Sequence, residues 1–514
     1  MSADKFKEEI QAAYTFSGKN FALGGPVFDK KNITGITVNM PLATVNRHGL
    51  IAGATGTGKT KTIQRFAEAL SEQGVNVLLM DIKGDISGIS KPGSENPKVK
   101  ERMDLIGIKW SPVDYPTELL TISKEKGVRL RATVSEFGPL LFSKILELND
   151  NQEGAVAIIF KYCDDHKLPL LDLKDFRATL QHLSDGEGKK EINEKYGAIS
   201  SSSSGVIMRK LLELEQQGGD VFFGEKSFEV EDLLQKDNGK AVINILRLTD
   251  IQDRPKLFST FMLCLLAEIY SKFPEIGDKG DPKLVIFIDE AHLIFKEATS
   301  ALLQQLETII KLIRSKGIGI FFCTQAPTDI PDIILSQLGT KIQHALRAFT
   351  AKDRKDIKLV AENFPITSYY DTDQLITELG IGEALITVLN EKGSPTPLVH
   401  TMMCAPQSRM DVITPVEQDE IISHSSLAKE YNEVIDRESA YEMLKGKITS
   451  EVAEEPPAGK EVVSSESGQS GIGDTIKAIA NSSLTKTVFR EVTRGILGVL
   501  IGTPRRSTRR KSIF

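Results

Sequence analysis

The eight residues Gly53–Thr60, reading GATGTGKT, constrain this chain more than any other stretch. They lie between an apolar run, Leu50-Ile51-Ala52, and a segment of helical character, Lys61–Gln73. Gly53, Gly58, Lys59 and Thr60 occupy every fixed position of the pattern G-x-x-x-x-G-K-[ST]. Such a loop belongs between a strand and a helix. Its glycines let the backbone curl until successive N–H groups point inward at an anion. The helix that follows adds the positive end of its dipole. Gly53, Ala54, Thr55, Gly56, Thr57, Gly58, Lys59 and Thr60 would together surround the phosphates of a nucleotide such as ATP. Lys59 would reach the β- and γ-phosphates, and the Thr60 hydroxyl would ligate Mg²⁺.

The rest of the chain fits an α/β fold around that loop. Val75–Met80, Ala241–Leu246, Lys283–Glu290 and Gly317–Gln325 are apolar runs suited to buried strands. Thr340–Leu346 and Gly382–Leu389 are later strand candidates, and Lys61–Gln73, Leu257–Phe273, Leu302–Lys316 and Lys352–Asn363 read as helices. Alternation of this kind predicts a mostly parallel sheet covered on both faces. Residues 1–45 form a small strand-rich region, and 46–129 and 238–405 the two parts of the core. Within the first part, residues 90–135 read as strand-rich. A mainly helical insertion is expected over 130–237, with a loop or N-cap at Ser200–Ser204. Residues 406–450 read as charged helix, chiefly Pro415–Lys445. Residues 451–473, with Pro456-Pro457 and few apolar side chains, read as a disordered linker. Residues 474–514 read as an amphipathic helix with a basic tail at Arg505, Arg506, Arg509, Arg510 and Lys511.

Composition limits the function classes. A length of 514 residues allows roughly three domains. The formal charge of −6 does not mark a nucleic-acid binder, but a local basic stripe would suffice for one. Cys163, Cys264, Cys323 and Cys404 form no CxxC pair, so buried free thiols in a reducing compartment are expected. The charged N-terminus lacks a signal peptide, and no run reaches the ~18 apolar residues of a membrane span. A cytoplasmic location is the expectation.

A phosphate loop alone says nucleotide and little more. Asp289 and Glu290 end the strand VIFIDE, and two neighbouring acids at an apolar strand tip are costly without a function. Asp289 would hold Mg²⁺ through its water shell, and Glu290 would polarise an attacking water. Gln325, at the tip of GIGIFFCTQ, could contact both γ-phosphate and water. Asp81 and Asp85 lie just past another strand, where open α/β sheets bind ligands. They either tune the metal site and the water or only cap and turn their loop. Ala291-His292 completes DEAH, but no Ser-Ala-Thr and no Gln-x-x-Gly-Arg-x-Gly-Arg motif follows, so His292 reads as a packing or hydrogen-bonding residue. His48 and Trp110 read as structural.

These motifs closely resemble the HerA/FtsK group of P-loop ATPases. The resemblance is carried by RHGLIAGATGTGKT (Arg47–Thr60), DIKGD (Asp81–Asp85), the strand-tip Gln325, the RSKG turn (Arg314–Gly317) and Leu346-Arg347. LELNDNQEG (Leu146–Gly154), LLELEQQGGDVFFGE (Leu211–Glu225) and RGILGVLIG (Arg494–Gly502) are similar to its bacterial HerA-like, or YjgR-like, branch. The resemblance implies a RecA-like core and a homo-oligomer, in that family a hexamer, with ATP bound between subunits. It carries Arg347 and Arg314 over as fingers acting in a neighbour's site, with surface salt bridging as the plain alternative. The region before the P-loop is shorter than the barrel domain of double-strand-translocating members, which separates ATP hydrolysis from processive DNA pumping as expectations. The activity implied is an ATP-driven motor on DNA, a helicase or translocase. Lys352-Asp353-Arg354-Lys355 is a candidate basic contact and equally a solvated helix face. An ATPase driving a protein or membrane-associated assembly is the alternative, its tail lying on DNA or an anionic membrane. A nucleotide-dependent scaffold is the third.

Overall fold

Short apolar runs that alternate with helices pair side by side in the same direction, because each helix returns the chain to the sheet's starting edge. The computed structural model describes residues 2–251, 253–277, 281–295, 300–433, 435 and 437–445. Its strands, in chain order, are β1 (Asn20–Phe28), β2 (Lys31–Asn32), β3 (Val38–Pro41), β4 (Gly49–Ala52) and β5 (Asn76–Asp81). There follow β6 (Thr117–Thr121), β7 (Val128–Arg129), β8 (Lys236–Asp237), β9 (Lys240–Ala241) and β10 (Ile243–Arg247). The last are β11 (Leu284–Ile288), β12 (Ile318–Thr324), β13 (Thr340–Gln343), β14 (Glu383–Thr387) and β15 (Val399–Met403).

One 13-stranded sheet runs in the order β2-β1-β15-β14-β13-β4-β12-β11-β5-β10-β6-β7, with β3 on β1, and β8 and β9 make a separate ladder. From β13 to β7 every pairing is parallel. From β13 outward through β14, β15 and β1 every pairing is antiparallel. The sheet is therefore a parallel core extended by an antiparallel wing. The N-terminal strands belong to that wing, since β1 pairs with β15 from the far end of the core. The central strands β4, β5, β11 and β12 are buried throughout, as strands covered on both faces must be.

The chain divides into two compact units. The first joins Met1–Ala132 to Leu214–Ile435 and holds the large sheet. The second contains Thr133–Glu213 and is helical. Its helices Val134–Ile145, Asp150–His166 and Leu173–Ser184 meet through Phe142, Phe160 and Phe176. Residues 214–237 pack with the first unit: Leu233 and Gln235 accept hydrogen bonds from Asn244 and Asn76 in its strands.

Several segments differ from the sequence reading. The charged stretch after Asn96, read as part of a strand-rich piece, is a helix, Pro97–Ile106. Asn96 caps it, proline opens it and Gly107 closes it at φ +81°, while Val99, Met103 and Ile106 recur at helical spacing on its buried side. The serine run enters its helix, Ser201–Leu214, with the Ser200 hydroxyl accepting from Ser203 N. The charged run after Pro415 breaks at Ser425 into Pro415–His424 and Ser426–Tyr431. The linker and tail, residues 451–514, lie outside the described residues. Trp110 donates from Nε1 to the Pro406 carbonyl, a packing role.

Packing holds the phosphate-loop helix, Lys59–Glu72, in one place. Phe66 of that helix meets Phe21, Phe287 and Phe321 at ring-centroid distances of 5.0, 5.5 and 5.0 Å. Phe321 needs Gly49 opposite it, because a Cβ there would stand 2.3 Å from the ring. On its other side the helix carries a strap, residues 407–409. The buried Glu68 carboxylate accepts from Gln407 N, Ser408 N and Ser408 Oγ, and Gln64 donates to Ser408 Oγ and the Arg409 carbonyl. Phe66→Ala would leave a cavity among three rings. It is expected to lower unfolding free energy by about 3–5 kcal/mol, read from denaturant melts.

Candidate active site

All strands that carry site residues end on one edge of the sheet. Parallel register sets this: Thr324 lies beside Ala52, Ile288 beside Phe322 and Met80 beside Ile288. The residues that follow these four tips therefore converge. Gly53–Gly58 follow β4, Asp81–Asp85 leave β5, Asp289 and Glu290 follow β11, and Gln325 follows β12.

The loop after β4 is anchored from both neighbours. Gly53 N donates to Thr324 O at 3.3 Å and Ala54 N to Ala345 O at 2.8 Å. Gly53 has φ +153° and stands against His344, where a Cβ would lie 2.5 Å from the histidine Cβ. Gly58, at φ +116°, is covered by Gly382, whose N–H donates to Thr57 O at 2.9 Å. Both positions exclude a side chain for steric and conformational reasons. His344 is buried and wedged beside the loop. Nδ1 faces the Glu383 carbonyl at 2.8 Å and so donates, which leaves Nε2 to accept from Thr62 Oγ1 at 3.0 Å. Burial lowers its pKa to about 4, so the ring is neutral near pH 7. His48 is likewise buried, held by Ile320 N and the Ile310 carbonyl and lowered to about 4.

Lys59 opens the helix and folds back on its own loop, donating to Gly53 O at 2.6 Å and Ala54 O at 3.2 Å. Burial and then the neighbouring Lys83 hold its pKa below the ordinary lysine value, with Glu290 and Asp289 opposing. Thr60 Oγ1 lies 3.4 Å from Asp85 Oδ2. Asp289 is 3 % exposed, and its Oδ2 has no hydrogen-bond partner among the described residues. Burial raises its pKa to about 6. Glu290 sits at φ +46°, a left-handed conformation that costs a non-glycine residue about 1–3 kcal/mol. Its carboxylate pairs with Lys83 and approaches His292 Nδ1 at 3.3 Å. Burial works against its charge, but Lys83 holds its pKa below the ordinary value.

Asp81 and Asp85 differ. Asp81 turns inward and accepts from Gly84 N, Asp85 N and Ile86 N, so its carboxylate builds the 81–86 loop. Asp85 faces Thr60 and keeps Oδ1 without a hydrogen-bond partner among the described residues. Gln325 is exposed at the tip of β12, and the turn after it is set by Asp329, which accepts from Thr324 Oγ1 at 2.7 Å and Ala326 N at 3.0 Å. The two arginines are far apart. Arg347 follows β13 on the edge that carries the phosphate loop, is exposed, and donates to Thr377 O at 2.8 Å. Arg314 precedes β12 on the opposite edge, roughly 20 Å away by strand rise alone. Lys83 and Asp329 were not singled out from the sequence. The DIKGD loop was the available signal for Lys83, and the short spacing from Thr324 to Asp329 the signal for the turn.

Asp289 supplies a stability test. Its folded pKa of about 6 lies above the unfolded 3.8, so the folded state binds the proton more tightly. Its contribution is favourable below pH 3.8 and lost as pH rises through 6. Asp289→Asn is therefore expected to be more stable than the wild type by about 3 kcal/mol at pH 8, with most of the gain gone near pH 4. Denaturant melts of both proteins at each pH read this difference, in which His48 and His344 cancel.

The family described as Helicase HerA-like C-terminal matches residues 29–506. The DNA double-strand break repair helicase HerA of Sulfolobus acidocaldarius is 22% identical over 389 residues, covering 71% of this chain and 67% of that protein. The DNA import protein CedB of the same organism is 25% identical over 362 residues, 69% of this chain. The chain spans about half of CedB's length, 52%. Among solved structures, plasmid coupling protein TrwB in complex with a non-hydrolysable ATP analogue superposes with a TM-score of 0.52 at 14% identity, covering 80% of this chain and 95% of that one. That likeness identifies the fold as a RecA-like P-loop core. No helix among the described residues is long and apolar enough to cross a membrane. Matched over most of its length and built around a phosphate loop on a parallel sheet, the chain belongs to the HerA-like helicase C-terminal family and is a P-loop ATPase.

Proposed function

We propose that this chain hydrolyses ATP with Mg²⁺ at the edge formed by Gly53–Thr60, Asp289, Glu290 and Gln325, and that hydrolysis drives movement on DNA. The observation that carries the reading is the convergence of a glycine-rich loop, its lysine and two buried acids on one edge of the parallel sheet, at the tips of β4 and β11 on either side of β12. The relatives named helicase HerA and DNA import protein CedB support DNA as the polymer.

The backbone N–H groups from Gly53 to Thr60 bind and orient the phosphates, and Lys59 leaves its loop carbonyls for them. The donor set fits a hard divalent cation: Thr60 Oγ1 beside Asp85, and the unpartnered, buried Asp289 Oδ2. Among the described residues no three His, Cys, Asp or Glu side chains converge as a metal cage, so most ligands would be phosphate oxygens and water. A bound Mg²⁺ supplies neutralisation of charge developing on the phosphates. Glu290 orients the attacking water and takes its proton, while Gln325 holds the water and the terminal phosphate. Asp81 supports the site through its loop.

Arg347 is the better candidate for a finger entering a neighbour's site in a homo-oligomer, because it is exposed on the edge that carries the phosphate loop, where it donates to Thr377 O. Arg314 is the second candidate, with Lys352, Arg354 and Lys355 as candidate DNA contacts. An ATPase assay on a size-fractionated sample, with and without single- and double-stranded DNA, tests the reading. Glu290→Gln is expected to bind ATP but turn over at least about 100-fold more slowly. Duplex DNA is expected to stimulate the wild type, with stimulation falling as salt rises. Turnover indifferent to DNA at every salt concentration would remove DNA as the polymer.

A further inference from the structure

Lys83 takes no part in the assignments above, yet it is the partner of the residue proposed to activate water. Its direction is set by Asp81, whose carboxylate collects the N–H groups of Gly84, Asp85 and Ile86 and curls the loop after β5. Gly84 completes that curl at φ +75°. β5 and β11 are paired in parallel, so the curl brings Lys83 against Glu290 at the neighbouring tip. The Glu290 side chain is 7% exposed and that of Lys83 34%.

Two lysines thus face the acids of this edge, in different circumstances. Lys59 is buried and tied to two loop carbonyls. Lys83 is half-buried on a flexible stem and is paired with the Glu290 carboxylate. Burial opposes its charge, but Glu290, Asp289 and Asp85 hold its pKa above the ordinary value, so it is a fixed cation near pH 7. Lys59 and Lys83 follow β4 and β5 on the same edge of the sheet, with Glu290, which follows β11, between them in the strand order. A terminal phosphate held at Lys59 would be a second anion on that edge, beside the one Lys83 already pairs with.

We propose that Lys83 is a positioning residue for Glu290: it holds the carboxylate in the ion pair seen here and exchanges it for the third phosphate of a bound nucleoside triphosphate. The exchange frees Glu290 to turn toward water when, and only when, that phosphate is present. A diphosphate lacks the third phosphate, the one placed nearest the acids, and the pair stays closed. The inference rests on the proposed ATPase reading of the same site.

The test measures binding by the full chain of two probes with Mg²⁺, ADP and the imido analogue of ATP. Glu290→Gln removes the competing charge and is expected to tighten the analogue about fivefold or more, with ADP unchanged within about twofold. Lys83→Met is expected to loosen the analogue about tenfold and leave ADP binding intact, which also reports that the variant is folded. Lys83→Arg restores most of the loss. In the double variant Lys83→Met/Glu290→Gln the tightening disappears, because the cation that produced it is gone. Equal tightening with and without Lys83, or equal loosening of both probes by Lys83→Met, would overturn the exchange. A wild type that binds neither probe overturns the ATPase reading and this inference together. Binding of both with no effect of Lys83 on their ratio overturns this inference alone.

Discussion

Charge held at the end of an apolar sheet has to be compensated, and this constraint organises the whole active edge. Five ionisable groups, Lys59, Asp81, Lys83, Asp289 and Glu290, lie where the three buried strands β4, β5 and β11 run out. Each is compensated differently. Lys59 has loop carbonyls, Lys83 and Glu290 have each other, and Asp81 has the N–H groups of its own loop. Asp289 is left with an oxygen that has no hydrogen-bond partner among the described residues, and burial raises its pKa.

That arrangement depends on packing some distance away. The phosphate-loop helix cannot slide on the sheet because Phe66 is set among three rings from β1, β11 and β12. The loop cannot open toward β13 without displacing a neutral histidine hydrogen-bonded on both ring nitrogens. Apolar packing sets the position of the anion-binding backbone, and hydrogen bonds set its curvature.

How much of this was legible in the sequence follows from how local each feature is. The phosphate loop, the strand-tip acids and the parallel core are written in contiguous residues, and hydrophobic period and glycine spacing reveal them. The antiparallel wing is not, because nothing near Asn20 says that its partner is a strand beginning at Val399. The helix at Pro97 was hidden by its charge, although Asn96, Pro97 and Gly107 marked its ends. Lys83 was hidden for a different reason. Its meaning comes from a partner on a strand more than two hundred positions later, and only the register of β5 against β11 joins them. Strand direction likewise divides Arg347 from Arg314, which sequence analogy had grouped.

The strap at residues 407–409 gives the helix that follows the phosphate loop a mechanical connection. Glu68 and Gln64 grip it on one side, and Gly93, with the Pro92 bridge, on the other. The strap is also the start of the chain that leads out of β15 toward the C-terminus. Displacing that chain would therefore disturb the phosphate-loop helix through two side chains at once, the buried Glu68 carboxylate and the Gln64 amide.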